Sequence, residues 1–378
     1  MPGDDPVRPA SSAGPWSAPV PSSRPSGRTS GQTSEMPAVS PTLIEPASTP
    51  AYKTIPIGPL PRATLASYPM PPSSPQHPPT QQHSSATTTP PQQVMFPQPG
   101  QVLASPRAVY HVGRTLGQGA YGAVYEATGP FDQRYALKLL VPANRPYAEV
   151  HAEWVREAER LLRLRHPGVV YMHDAFESEF LFYMALEWCS SSLKDWLVGP
   201  LEPETAIEVT RQILAAVQYL HESDIVHGDL HPGNVLVLGT PGATAADGGV
   251  AFRVKLADFG ISQELHGRGF ARPNVVHHAI MAPEVVAAGY TSRQSDIYQI
   301  GLLLYWMVTG TAALDYALPY ADLVKQVAEG VPRTRAEGLK SPIGAILAKM
   351  LRRREAYRYA SAREVWDDLK RFWTPRPT

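Results

Sequence analysis

Twenty-four of the chain's 40 prolines lie in residues 1–100, and only 16 in the 278 that follow. Proline locks φ and removes a backbone donor, so a stretch this rich in it can propagate neither a helix nor a central strand. Whatever core the chain builds must therefore come later. Between Met1 and Ser105 there are five Lys or Arg, four Asp or Glu, and runs of Pro, Ser, Thr, Gln and Ala. Such a composition offers too little apolar surface to offset the entropy of ordering. Residues 1–105 are thus expected to form a disordered Pro/Ser/Thr-rich tail and residues 106–374 the folded domain. A chain begun at Ser105 is then expected to melt and act like the full one. Ser-Pro or Thr-Pro steps at Ser40, Thr49, Ser74, Thr89 and Ser105, with PxxP spacing at Pro69/Pro72 and Pro75/Pro78, favour extended polyproline conformers that an adaptor domain can grip. A solvated tail with no dedicated partner fits the same composition.

The 34 basic and 34 acidic residues cancel, so net charge argues for neither nucleic acid nor an anionic membrane as main partner. A lone Cys189 excludes an internal disulfide and fits a reducing compartment. No basic start followed by an apolar run opens the chain, and a cytoplasmic location is expected. The most apolar run, Ile300 to Val308 (IGLLLYWMV), falls well short of the ~20 residues of a membrane span and is expected to be a buried helix.

From Val109 short β-type runs (YHVGRTL, GAVYEAT, RYALKLL) give way to a helical run over Ala148–Leu164, then to strands near Val169–Asp174 and Leu181–Leu186. Helical patterns follow at Glu204–Leu220, Ser295–Val308, Ile343–Leu351 and Ala362–Phe372. The expected fold is α+β: a small sheet-rich lobe with one helix, about 106–187, and a larger helical lobe, about 191–374.

Within that frame Gly117, Gly119 and Gly122 lie in a turn between two strands, where backbone N–H groups can approach phosphate oxygens. A strand rather than a helix follows Gly122, which removes the context a dinucleotide-binding turn requires. Lys138 sits in the apolar run Tyr135–Leu140, and a buried ammonium needs a partner. On the 148–164 helix Val150, Trp154, Leu161 and Leu164 share one face with Glu157 at its centre, while Glu153 and Glu159 lie nearer the edge. Lys138 and Glu157 are therefore expected to pair. In His227-Gly-Asp-Leu-His-Pro-Gly-Asn234 a carboxylate, Asp229, can accept a proton, and the amide oxygen of Asn234, five residues on, is a hard ligand for Mg²⁺. Asp258-Phe-Gly260 adds a second oxygen ligand after the Phe252–Leu256 strand.

These motifs in this order, followed by Ala282-Pro-Glu284, Ser295-Asp296 before an apolar helix, and Arg358, resemble the protein kinase superfamily from about Val109 to Phe372. The resemblance implies a catalytically competent serine/threonine protein kinase that transfers the γ-phosphate of ATP to a protein substrate with Mg²⁺. It implies that Lys138 holds the α- and β-phosphates, oriented by Glu157, that Asn234 and Asp258 hold Mg²⁺, and that Asp229 positions and deprotonates the acceptor hydroxyl. Val124, Ala136 and Leu236 then resemble the residues around the adenine, Leu186 the back of its pocket, and Glu187 and Cys189 the backbone hinge. Glu284–Arg358 resembles the family's structural ion pair, and Asp296 its anchor for the catalytic loop.

The chain departs from the family pattern in three places. Gly228 replaces the usual Arg before the catalytic Asp, His231 the usual Lys two residues after it, and His277 the usual Thr five residues before Ala282. His231 could contact the transferring phosphate or hydrogen-bond the loop. His-Gly-Asp-Leu-His-Pro-Gly-Asn also resembles the loop of small-molecule kinases such as aminoglycoside phosphotransferases, and a nucleotide-binding pseudokinase scaffold is the non-enzymatic alternative. Residues 258–284 contain no Thr, no Tyr and one Ser, Ser262. With the Arg and the usual phosphosite both missing, activity is expected not to depend on phosphorylation of that segment. Gly239–Gly249 (GTPGATAADGG) is expected to be an exposed insertion.

Overall fold

A computed structural model describes residues 96–119, 122–142, 145–244, 250–260, 262–273 and 280–373. Residues 1–95, which carry most of the expected tail and its Pro motifs, and His277 lie outside the described residues. The small lobe is an antiparallel sheet of β1 (Val102–Ala104), β2 (Val109–Gly119), β3 (Gly122–Thr128), β4 (Arg134–Leu140), β5 (Met172–Ser178) and β6 (Leu181–Glu187), in the order β1-β2-β3-β4-β6-β5. Alternation along these strands divides the side chains between two environments. Ala123, Tyr125, Ala127, Tyr135, Leu137, Leu139, Tyr183 and Ala185 form a core of their own with Leu103, Tyr110 and Phe176. Their neighbours Val124, Ala136, Lys138, Met184 and Leu186 occupy the opposite face, with Val124 paired to Lys138, and Ala136 to Leu186.

Sheet pairing begins at Val102, inside the stretch that composition assigned to the tail. Val102, Leu103 and Ala104 pair with His111, Tyr110 and Val109, and Leu103 is buried. Ser105 closes this strand: its hydroxyl donates to the buried Asp174 carboxylate, 2.5 Å away. The boundary at 105/106 is therefore corrected to a point before β1; average composition could not register one buried leucine three residues from a proline. A chain begun at Ser105 loses that burial, about 1.5–3 kcal/mol. At roughly 2–4 °C per kcal/mol for a domain of this size it should melt several degrees below one begun at Phe96, as differential scanning calorimetry would record.

Helix α1 (Tyr147–Arg163) packs on the face of the sheet that carries Lys138, Met184 and Leu186, burying Val150, Glu157, Ala158 and Leu161 in one stripe. The Trp154 indole N–H donates to the Tyr183 carbonyl of β6 at 3.1 Å, which fixes the helix against the sheet. The lobes join after Glu187, at β7 (Ser191–Ser192) and α2 (Leu193–Trp196).

The large lobe is built on α3 (Pro203–Glu222) and α5 (Arg293–Thr309). Nearly every residue of α5 from Ser295 to Val308 is buried, as its unbroken apolar run requires. Between these helices lie β8 (Ile225–Val226), the hairpin β9 (Val235–Thr244) and β10 (Val250–Leu256), and the short strands β11 (Gln263–Glu264) and β12 (Phe270–Ala271), which pair with β8 and β13 (Thr291–Ser292). Residues 239–244, part of the expected exposed insertion, extend β9, with Thr244 paired to Val250; Gly239 is exposed, and residues 245–249 lie outside the described residues. Helices α4 (Pro283–Ala288), α6 (Tyr320–Glu329), α7 (Val331–Glu337), α8 (Ile343–Met350) and α9 (Ala362–Leu369) complete the lobe. Glu284 of α4 accepts both terminal nitrogens of Arg358, at 2.8 and 2.7 Å, and the Ser295 hydroxyl at 2.6 Å, all three residues buried. Among the described residues no helix is long and apolar enough to cross a membrane.

Candidate active site

Lys138 leaves the cleft face of β4 and meets the carboxylate at the centre of the α1 stripe. Its Nζ lies 2.7 Å from Glu157 Oε1 and 2.8 Å from Asp258 Oδ1, so one ammonium joins strand, helix and large lobe. Burial works against its charge, but Asp258 and Glu157 hold it well above the usual lysine range. In return the ammonium holds the Asp258 carboxyl down to about 2. Asp258 stands at φ +62, a left-handed conformation unusual outside glycine, and its side chain is 47% exposed to the cleft. Next to it Phe259 is fully buried, its ring 4.9 Å from that of His227, and its carbonyl accepts Nη1 of Arg160 from α1 at 2.6 Å.

The loop between β8 and β9 hangs from two side chains of α5. Asp296 accepts the His227 and Gly228 backbone N–H groups at 2.9 and 2.8 Å, and its Oδ2 meets His221 Nε2 at 2.9 Å. One turn further along the helix, Gln299 accepts the Leu230 N–H and donates to the Gly228 carbonyl. Gly228 lies at φ +75, which a glycine adopts without strain. The His227 Nε2–H donates to the Ala257 carbonyl while Nδ1 accepts the Asp229 N–H; burial lowers the ring's pKa and keeps it neutral.

So suspended, Asp229 and Asn234 meet across the loop: Asn234 Nδ2 donates to the Asp229 carbonyl and to Oδ2, both at 3.0 Å, which turns the amide oxygen away from Asp229. Asp229 Oδ1 is buried with no hydrogen-bond partner. Burial, reinforced by the charge of Asp258, pushes the Asp229 carboxyl well above its usual range despite the Asn234 bond. His231 Nδ1 accepts the Gly233 N–H at 3.0 Å, and Nε2 lies 3.8 Å from Asp229 Oδ2. The loop hydrogen bond, one of the two roles open to His231, is thus formed.

The glycines of the β2–β3 turn differ from one another. A Cβ on Gly117 would meet no atom, whereas one on Gly122 would lie 1.9 Å from the Leu139 carbonyl oxygen. Gly122 is therefore required by strand packing, whereas Gly117 borders open space. Gly119 pairs with Gly122 at the end of the hairpin. Val124, Ala136 and Leu236 are half-buried and Leu186 is buried; Ala136 pairs with Leu186, and Val124 with Lys138, on one face of the sheet. The Glu187 N–H donates to the Tyr171 carbonyl, so any hinge contact from Glu187 runs through its own carbonyl; its carboxylate bridges to Lys255 at 2.8 Å. Burial pushes the Cys189 thiol up to about 12, which makes it a poor nucleophile.

Sequence reasoning missed Arg160, His221 and Gln299. Gln299 was within reach, since it stands three residues after Asp296 and so on the same helical face. Arg160 and His221 offered no comparable signal, because the groups they meet lie far away along the chain.

A model of the protein kinase domain matches residues 110–368. Serine/threonine-protein kinase PrkC of Bacillus subtilis is 27% identical over 271 residues, covering 69% of this chain and 40% of that protein. A probable serine/threonine-protein kinase of Clostridium perfringens is 27% identical over 270 residues, 69% of this chain and 38% of that protein. The carbon catabolite-derepressing protein kinase of Candida tropicalis is 30% identical over 229 residues, 59% and 35% of the two chains. The chain spans about 40% of the length of the first two relatives.

Proposed function

Because the chain belongs to the protein kinase family, we propose that it transfers the γ-phosphate of ATP to serine or threonine hydroxyls of a protein substrate, with Mg²⁺. The observation that carries this is the Lys138 ammonium set between Glu157 and Asp258, with the buried, partnerless Oδ1 of Asp229 in the adjoining loop.

The residues present fit the nucleotide and its metal. Gly117 leaves room for phosphate oxygens. Asp258, held ionised by Lys138 and open to the cleft, and the amide oxygen of Asn234 are hard donors suited to Mg²⁺. Bound Mg²⁺-ATP would supply the phosphoryl group and the positive charge that offsets its oxygens. Lys138 would hold the α- and β-phosphates, and Glu157 would keep the ammonium aimed. Val124, Ala136, Leu236 and Leu186 would enclose the adenine, with the Glu187 carbonyl and Cys189 backbone at its edge. Asp229, its Oδ2 fixed by Asn234, would orient the acceptor hydroxyl and take its proton. His231 would brace this loop through its bond to Gly233.

A protein acceptor is favoured by α4 and the buried Glu284–Arg358 pair, which build the lower lobe as in the protein kinases that the chain resembles. Incubation of the purified protein with labelled ATP and Mg²⁺ should label serine or threonine of an added basic protein. Label passing only to an added aminoglycoside, or nucleotide binding without transfer, would overturn the proposal.

Phosphorylation of the segment between Asp258 and Glu284 should not be required. Ser262, its one hydroxyl residue, is 1% exposed and donates to the His227 carbonyl at 3.1 Å, so a kinase cannot reach it in the folded state. Phosphatase-treated enzyme should start at the rate of untreated enzyme with no lag; a tenfold fall that ATP preincubation restores, with phosphate mapped to residues 258–284, is the contrary result. Ser262→Ala would break a buried bond to the catalytic loop and is no neutral control.

A further inference from the structure

Asp224 lies between α3 and β8, outside every motif above, and three hydrogen bonds from later in the chain converge on it. It stands at φ +60, and its carbonyl accepts the Leu265 N–H at 2.9 Å. Its Oδ2 accepts the Gly267 N–H at 2.7 Å, and its Oδ1 accepts Arg293 Nη2, from the first residue of α5, at 3.0 Å. The segment it grips is a tight turn. The Arg268 N–H donates back to the Leu265 carbonyl, His266 and Gly267 have φ of 49 and 70, and Leu265 is buried beneath them. On one side of this turn β11 pairs with β8 and Ser262 is tied to His227; on the other, β12 pairs with β13.

We propose that Asp224 is a positioning residue for phosphotransfer: a permanent carboxylate that clamps the 262–271 segment to the catalytic loop and to α5. This rests on the kinase reading above and deepens it. Where a segment is ordered by phosphorylation, the anion arrives on the segment and the cation waits on the loop. Here the polarity is reversed. The anion is built into the body of the lobe, Arg293 holds it in place, and the segment supplies only backbone N–H groups. No added charge is needed, which accounts for a segment without Thr or Tyr and a loop with Gly228 in place of Arg. None of these bonds to Asp224 involves Lys138, Glu157 or Asp258, so the clamp should act on the protein acceptor and not on nucleotide.

Asp224→Gly tests this, because glycine accepts the left-handed conformation and only the carboxylate is lost. Amide hydrogen exchange of residues 263–271 should accelerate by roughly tenfold, the scale of one lost charge-assisted hydrogen bond. The KM for the protein acceptor should rise by a similar factor while the KM for ATP stays unchanged. Asp224→Asn, which keeps an acceptor for Gly267 but no charge for Arg293, should fall between. Combining Asp224→Gly with Arg293→Ala should cost less than the sum of the two, since each acts through the other. Unchanged exchange at 263–271, or equal rises in both KM values, would overturn the clamp. If wild type transfers no phosphate at all, the kinase reading fails by itself, and the exchange comparison still decides whether Asp224 orders the segment.

Discussion

Asp229→Asn should lower the phosphotransfer rate by about 10²–10⁴, the usual contribution of a positioned acid–base group. Dissociation of Mg²⁺-ATP should stay near the wild-type value, because Lys138, Glu157 and Asp258 hold one another without help from Asp229. The amide is nearly isosteric with the carboxyl, so the loop suspended from Asp296 and Gln299 should survive the change. What disappears is the basicity of the carboxylate. Burial and the Asp258 charge raise the Asp229 pKa, so in wild type the proton-accepting form should be lost as pH falls through a value above the ordinary carboxylate range. The acid limb of kcat/KM for the acceptor should therefore lie higher than an exposed aspartate would give. Rapid-quench measurement of transfer and equilibrium titration of nucleotide check the two halves separately; retained turnover in Asp229→Asn would remove Asp229 from the role of base.

The largest loss of stability should come from Arg358→Met. Truncating one partner of a buried ion pair leaves the other charged and uncompensated, typically at a cost of about 3–5 kcal/mol. Glu284 would keep only the Ser295 hydroxyl, and three backbone carbonyls, of Gln294, Arg352 and Arg353, would lose their Arg358 donor as well. Adding Glu284→Gln should restore part of the loss by removing the stranded charge, but not all of it, because the carbonyls still lack their Arg358 donor. Urea midpoints of the two variants measure this; a double variant no better than the single one would mean that the carbonyl bonds, and not the charge pair, carry the stability.

The parts of this protein that were legible in its sequence are those in which a short period meets a strict chemical requirement. Glu157 betrayed itself as a charge amid Val150, Trp154 and Leu161, and Lys138 as a charge in an apolar strand; the 2.7 Å contact between them follows from both needing relief. The long helices were legible for the same reason, their ends falling within a few residues of the expected ones at Pro203–Glu222 and Arg293–Thr309. Helices α4, α6 and α7 were not read from the sequence. Strand β1 was hidden by its proline-rich surroundings. Asp224 was hidden because its partners lie some 40 and 70 residues further on, and an exposed aspartate after a helix resembles any other until the chain folds back on it.

The suspension of the catalytic loop from α5 bears on which changes the chain can absorb. Asp296 and Gln299 address the loop only because they are three residues apart on a buried helix. A single-residue insertion or deletion between them would rotate one against the other by about 100° without lowering the helix propensity of the segment. Surface loops elsewhere can lengthen or shorten with little penalty, but this short interval works as a spacer whose length is information. Drift in the sequence can therefore replace residues along α5 far more readily than it can change their number.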